Sequence, residues 1–385
     1  MEIAVPVAPG AAAEQTRTLP GRYYYDPAIF ALEQERIFSR LWVCVGRADR
    51  LQDAGSYVVH QVGNESVIVL RDRDGQLRSF LNLCRHRGTR LCTAEQGQLH
   101  ATLQCPYHAW TYALDGRLIG APNMRGDPGF DPARLGLLPV GLQVWEGLIW
   151  LNLSGAARPG WGPEPLAAQL GILYDRFAHY RVGELTSAAT ITYDIKANWK
   201  LVVENFSECY HCAVIHPELA AQVPDYKAGH VTGTEGGAAL LGPGVESLTM
   251  SGKTARPPLR GLHPEDLHGY YGDIFRPNVF LNLHPDYVVS HVLDPLAPDR
   301  TRITCDWLFD AEVAAAPGFD PADAVEFWDL VNRQDWRVCE LAQQGVTSRG
   351  YADGGIYGPD ERHIRRFNDW VLELLGHGAG NGVRP

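Results

Sequence analysis

Cys84-Arg-His86-Arg-Gly88 and, after residues 89 to 104, Cys105-Pro-Tyr-His108-Ala-Trp110 decide how this 385-residue chain is read. Two Cys-then-His pairs bring two thiolates and two imidazoles together in one short stretch. Thiolates anchor one iron of a [2Fe–2S] cluster, and neutral imidazoles hold the other. Imidazole carries less negative charge than thiolate, so the reduction potential rises. A zinc site takes the same four ligands, but zinc motifs space Cys from Cys and His from His. Cys-x-His and Cys-x-x-His spacings favour the iron–sulfur reading. Cys92 and His100 lie between the pairs without a partner at such spacing. Cys92 is expected to be a small buried residue and His100 a loop histidine.

The composition narrows the rest. A chain of 385 residues with 45% hydrophobic residues and 10 Trp has material for two domains, or one large domain with an insert. The net charge of −11 comes without a basic run, which argues against a nucleic-acid partner and against anionic membrane. No apolar stretch approaches the length of a bilayer span. The first residues, Met1-Glu-Ile-Ala-Val-Pro-Val-Ala-Pro-Gly10, lack the positive start and long apolar centre of a signal peptide. Eight cysteines in a metal-ligand pattern fit a reducing compartment, so the expected location is cytoplasmic. Cys44, Cys209, Cys212, Cys305 and Cys339 are then expected to be free thiols.

Residues 1–20 read as a flexible leader and 21–41 as an entry helix started by Asp26-Pro27. Residues 42–155 turn to short alternating strands, among them Ser66-Val-Ile-Val-Leu-Arg71 and a hairpin turning at Asp115-Gly116. The paired ligands fall in loops after these strands. Residues 156–385 begin with a Gly/Pro-rich link. A helical stretch at 166–181, a strand from Thr186, a helix from Trp199 to Ile215 and three strands between Val279 and Phe309 follow. Helices at Pro321–Gln344 and about 360–375 close the chain. The fold class is α+β: a β-rich [2Fe–2S] unit inserted before an antiparallel sheet with flanking helices.

Glu208-Cys-Tyr-His211-Cys-Ala-Val-Ile-His216-Pro217 is a second constellation. Two histidines and one carboxylate on one face of a metal leave open positions for O2 and substrate. On a regular helix Glu208 and His211 lie about 60° apart and share a face. His211 and His216 lie about 140° apart, so the helix must distort or end near His216. Pro217 supplies the break, because it disfavours helical geometry in the residue before it. The plain alternative is two ordinary histidines, one of them at a helix C-terminus where imidazole meets the negative dipole end. For a third ligand the 321–344 helix offers Asp323, Glu326, Asp329, Asp335 and Glu340.

The Cys84/His86 and Cys105/His108 strings resemble the Rieske motif of the non-haem iron, ring-hydroxylating oxygenase alpha subunits. The likeness extends from about residue 22 to 372. Asn198-Trp-Lys-Leu-Val-Val-Glu-Asn-Phe-Ser-Glu-Cys-Tyr-His211 is similar to that family's iron-binding helix. The resemblance implies that Cys84, His86, Cys105 and His108 hold the cluster and that His211 and His216 bind mononuclear Fe(II). It further implies that Glu208 links that iron to a cluster, through His108 of a neighbouring subunit in a homotrimer. The string Gln334-Asp335-Trp-Arg-Val-Cys-Glu340 resembles the family's late motif, which makes Asp335 the third ligand and Glu340 the second candidate. O2 is the expected co-substrate. No flavin or nicotinamide fingerprint appears, so NAD(P)H is expected to act only through a separate flavin/iron–sulfur reductase.

Glu208 in place of Asp is similar to the branch that acts on choline, betaine and carnitine. So are Phe275-Arg-Pro-Asn278, His284-Pro-Asp-Tyr287 and Leu293-Asp-Pro-Leu-Ala-Pro-Asp299. Tyr270, Tyr271, Phe275, Phe280, Tyr287, Trp307 and Trp336 are candidates to cage a quaternary ammonium by cation–π attraction. The expected reaction is oxidation of an N-methyl group on a small quaternary or tertiary ammonium compound, by N-demethylation with formaldehyde release or by hydroxylation. Hydroxylation or O-demethylation of an aromatic acid is the alternative. A Rieske electron carrier without oxygenase activity fits less well, since it needs no second site and only about a third of this length.

Overall fold

The computed structural model describes residues 17–124, 126–155, 163–230 and 238–377. Most of the expected leader, residues 1–16, lies outside them. Its last residues do not behave as a leader: Leu19 is buried and Arg17 bridges Ile356. The entry segment is a tight turn at Gly21–Tyr24, a helix at Pro27–Glu33 and a wider π-type turn at Gln34–Phe38. Asp26 accepts the Ala28 N–H at 2.8 Å and Pro27 opens the helix, which needs no N–H there.

Three small antiparallel sheets build the first unit. One orders its strands Leu77–Leu81, Glu65–Arg71, Ser56–Val62 and Gln96–Gln98. A second joins Val43–Arg47 to Leu148–Asn152 and Gly141–Trp145. The third is the meander Thr102–Gln104, Thr111–Ala113 and Leu118–Gly120. The last hairpin turns at Asp115-Gly116 as expected. Gly116 has φ +90°, and a Cβ there would lie 2.5 Å from the Phe80 ring, so only glycine fits. Ile68, Leu70, Phe80, Leu103, Trp110 and Tyr112 form this unit's core, and Cys84 and Cys105 are packed into it.

The second unit carries one six-stranded antiparallel sheet. Its order is Thr186–Ile195, Arg300–Phe309, Val288–Ala297, Val279–Leu283, Gly269–Phe275 and Ala239–Leu240. The 25-residue helix Ala322–Val346 packs its buried Phe327, Trp328, Val331 and Trp336 into the main core beside this sheet. Two polar ties fix that docking. His291 on the sheet meets Asn332 Oδ1 at 3.0 Å, and the Tyr193 hydroxyl donates to Asp329 at 2.6 Å. The units are joined at Asn278, whose amide pairs with both backbone groups of Cys44.

Two expected helices are broken. The 166–181 stretch splits into Leu166–Leu170, Leu173–Arg176 and a turn at Ala178–Tyr180, because Gly171 takes φ +56°. The Trp199–Ile215 helix ends at Phe206 and resumes only at Cys212–Ile215. The Ser207 hydroxyl takes the Val203 carbonyl at 2.6 Å, and the Glu208 carboxylate accepts the N–H groups of Tyr210 and His211. These local bonds compete with the helical ladder and win. Glu208 and His211 therefore meet across a turn, not along a helix face. Among the described residues no helix is long and apolar enough to cross a membrane.

Candidate metal centres

The first candidate centre is carried by two loops, one after Leu77–Leu81 and one between Thr102–Gln104 and Thr111–Ala113. Cys84 N–H donates to Thr89 O, Gly88 N–H to Cys84 O, and Ala109 N–H to Cys105 O, so each Cys sits inside a closed turn. Both thiols are buried, whereas His86 is exposed and His108 half-buried. The imidazole centroids lie 4.7 Å apart, and His86 stacks on Trp110 at 4.9 Å. Burial raises the Cys105 thiol pKa, but backbone N–H groups of Tyr107 and His108 outweigh it and hold the pKa below its usual value. Such donors stabilise negative sulfur and tune a cluster's potential. A single zinc would draw ligand atoms to within about 4 Å of one another. Among the described residues, no three of these four gather within 4.8 Å. That wider spread suits two irons and their bridging sulfides.

The second centre gathers His211, His216 and Asp335, whose ligand atoms all lie within 4.8 Å of one another. Asp335 Oδ1 is 2.8 Å from His216 Nε2 and 3.4 Å from His211 Nε2. His216 takes φ −121° and ψ 67°, and Pro217 starts the next helix, so the expected break at His216 is present. Each imidazole has its other nitrogen fixed. His211 Nδ1 meets Glu208 Oε1 at 2.5 Å, and His216 Nδ1 meets Gln334 Oε1 at 2.7 Å. This is the outer support that aims metal-binding imidazoles. Burial pushes the Asp335 carboxyl up, but bonds to both histidines hold it well below the usual range. Burial likewise lowers the His211 pKa, and Asp335 and Glu208 outweigh it and raise it. Two imidazoles facing one carboxylate form the donor set of a non-haem iron site. Glu340, the second candidate, accepts the Lys196 N–H at 3.0 Å and is not part of this group.

Cys209 and Cys212 bracket His211 as a disulfide, which corrects the expectation of free thiols there. The turn after Phe206 brings their Cα atoms to 4.9 Å. Cys44, Cys305 and Cys339 are free and buried, and Cys92 is buried as expected.

A cavity of about 70 Å³ opens onto this second centre. Phe206, Tyr226, Tyr270 and Trp328 supply its aromatic walls, with Gly272 and Val331 between them. Of the seven aromatics expected for a cage, only Tyr270 lines it. Tyr287, Phe280, Trp307 and Trp336 belong to the main core, Phe275 to a second core, and Tyr271 points its hydroxyl at Asp266. Sequence reasoning missed Trp328. It lies seven residues before Asp335, within about 20° of it around the helix, so a shared face was readable.

Residues 41–140 match the Rieske [2Fe-2S] domain, and residues 182–377 match the catalytic domain of the ring hydroxylating alpha subunit. The chain belongs to the Rieske non-haem iron oxygenases, as an alpha subunit with a [2Fe–2S] domain and an iron-dependent catalytic domain. Among curated relatives, it is 33% identical to the glycine betaine monooxygenase oxygenase subunit of Chromohalobacter salexigens, over 93% of this chain and 86% of that protein. It is 30% identical to the carnitine monooxygenase oxygenase subunit of Escherichia coli K12, over 94% of this chain and 95% of that one. The crystal structure of the quaternary ammonium Rieske monooxygenase CntA with gamma-butyrobetaine superposes with TM-score 0.73 at 25% identity. It covers 94% of this chain and 96% of that one.

Proposed function

We propose that the chain is the oxygenase component of a monooxygenase system that oxidises an N-methyl group of a small quaternary or tertiary ammonium compound. The observation that carries this reading is the aromatic cavity beside His211, His216 and Asp335. Four aromatic side chains around it can offer π surface to an ammonium cation in place of water. The cavity is small and walled by both aromatic and polar side chains, among them Asn205 and Glu208. The relatives named for glycine betaine and carnitine support the same class.

Cys84, His86, Cys105 and His108 are the proposed cluster ligands, and His211, His216 and Asp335 the proposed iron ligands. When bound, the metals supply one-electron transfer and O2 activation. The chain's own residues do the rest. Tyr270, Tyr226, Phe206 and Trp328 hold the ammonium group so that one methyl faces the iron ligands. Glu208 and Gln334 fix the two imidazole planes. The exposed His86 and half-buried His108 leave the imidazole side of the cluster open to a partner surface. In a homotrimer Glu208 would then connect His211 to His108 of the next subunit. One oxygen atom enters the methyl C–H bond. The other leaves as water with two electrons from a separate flavin/iron–sulfur reductase and two protons. The hydroxymethyl ammonium product then loses formaldehyde. We place the domains at 42–155 and 156–385, and the cytoplasm as the site of action.

The test gives the cluster- and iron-loaded protein a surrogate reductase, NAD(P)H and a panel of betaines, choline, carnitine and aromatic acids. Formaldehyde matched to NAD(P)H use with an ammonium compound is the expected result. Turnover confined to aromatic acids would sink the reading.

A further inference from the structure

A second His–His–carboxylate group lies away from the iron pocket, and it does not depend on the reading of that pocket. His179 comes from the turn Ala178–Tyr180, and His263 and Asp266 from the turn that leads into strand Gly269–Phe275. Their ligand atoms all lie within 4.8 Å of one another. We propose that His179, His263 and Asp266 form a second, structural site for a divalent transition-metal ion of the zinc type.

The geometry is close to ligation already. His179 Nε2 and Asp266 Oδ2 are 3.0 Å apart. Two donors about 2.1 Å from one tetrahedral ion stand about 3.4 Å apart, so ligation asks them to part by only about 0.4 Å. The His179 and His263 rings lie parallel, 4.3 Å apart at 5°. The His263 side chain is 57% exposed, so a small rotation brings its nitrogen to the same ion. Glu265, with Oε1 3.8 Å from His263 Nδ1, or a water, completes a four-coordinate shell. Two nitrogen donors select zinc, cobalt or nickel over magnesium or calcium.

Asp266 gives the group its rigidity. It is 2% exposed, and its two oxygens are held by the Tyr271 hydroxyl at 2.9 Å and the His263 N–H at 2.8 Å. A carboxylate this buried needs a compensating positive charge. The guanidiniums closest to this group in sequence have partners of their own: Arg176 pairs with Asp273, Arg181 with Glu184, and Arg260 with Asp310 and Glu312. A protonated His179 can supply the charge, and a bound dication would do so with His179 neutral and free to ligate. It would also clip the 178–180 turn to the strand whose Tyr270 and Gly272 wall the iron cavity. Gly261 marks how closely the two segments approach, since a Cβ there would sit 2.6 Å from the His179 carbonyl.

The experiment titrates untagged, cluster- and iron-loaded protein with zinc chloride and measures zinc and iron per chain together with the melting temperature. The expected result is one zinc taken up with iron content unchanged, and a melting temperature that rises with zinc. His263→Ala changes an exposed side chain. It should keep its iron and cluster absorbance while losing both the zinc and the thermal response. Asp266→Asn should do the same if it folds. Three results would overturn the site: no zinc uptake, zinc gained only as iron is lost, or His263→Ala binding as much zinc as the parent.

Discussion

The two metal centres differ in where their ligands come from and which way they face. The cluster candidates come from two loops of one small unit, with thiols buried and imidazoles toward solvent. The iron candidates come from a turn after one helix and from the middle of another, with His216 only 1% exposed and Asp335 beside it. A surface centre of this kind can pass an electron to a partner. An enclosed one can keep reactive oxygen chemistry away from water. Division of labour in this chain is thus a division of exposure, and each half can be broken separately.

The largest effect is expected from Cys105→Ser. It removes a proposed cluster thiolate inside a closed turn and should abolish both the visible absorbance and turnover, while the protein keeps its mononuclear iron. Loss of colour together with loss of that iron would show that the two centres do not assemble independently. Asp335→Ala is the mirror experiment. It should leave cluster absorbance intact and lower turnover by more than the ~10–100-fold that loss of an outer-shell partner costs, since it removes one of the three proposed donors. Glu340→Ala should stay within about twofold of the parent, because Glu340 is held by the Lys196 N–H instead. The reverse ranking would overturn the Asp335 assignment.

A smaller effect concerns the helix that leads into the iron turn. Burial raises the Glu204 carboxyl from its usual value to about 7, against the Tyr24 hydroxyl bond and the Lys200 charge, which lower it. The folded state therefore holds a proton that the unfolded chain releases between about pH 4.5 and 7. Stability contributed by this group falls as pH rises through that window. Glu204→Gln keeps an oxygen for Tyr24 but cannot ionise. It should gain on the parent as pH rises, by up to about 3 kcal/mol above pH 7. Urea unfolding at pH 5 and pH 8 measures it. A difference that does not change with pH would discard the assignment.

The same contrast explains what was legible in the sequence. The cluster quartet is local, so Cys-x-His and Cys-x-x-His spacing carries it. His216 was legible because Pro217 breaks a helix by a rule of backbone sterics. The break at Ser207-Glu208 was not, because it depends on side-chain bonds to Val203, Tyr210 and His211 that no periodicity records. Asp335 stands 119 residues from His216, and only the family string singled it out among five helix acids. The cage was hardest. Aromatics are abundant in the second unit, and sheet register decides which face the cavity. Tyr270 and Gly272 line it, whereas Tyr271 between them turns to Asp266.

Trp328 gives the finest test of the enclosed centre. It lies one heptad before Asp335, and its indole N–H donates to His284 at 3.1 Å and to the Tyr287 hydroxyl at 2.9 Å. Those bonds fix the indole in the cavity wall. Trp328→Leu keeps an apolar wall and removes the π face. If the substrate is an ammonium ion, the loss is a desolvated cation–π contact of about 1–2 kcal/mol, or roughly 5–30-fold in kcat/KM. The rise should fall on KM, because the cation is bound alike before and during attack on its methyl group. Cluster absorbance and iron content should not move, since no proposed ligand is touched. A neutral substrate analogue, with carbon in place of the charged nitrogen, should lose much less. Equal losses for the charged and neutral compounds would mean that Trp328 only fills space, and that the charge is recognised elsewhere.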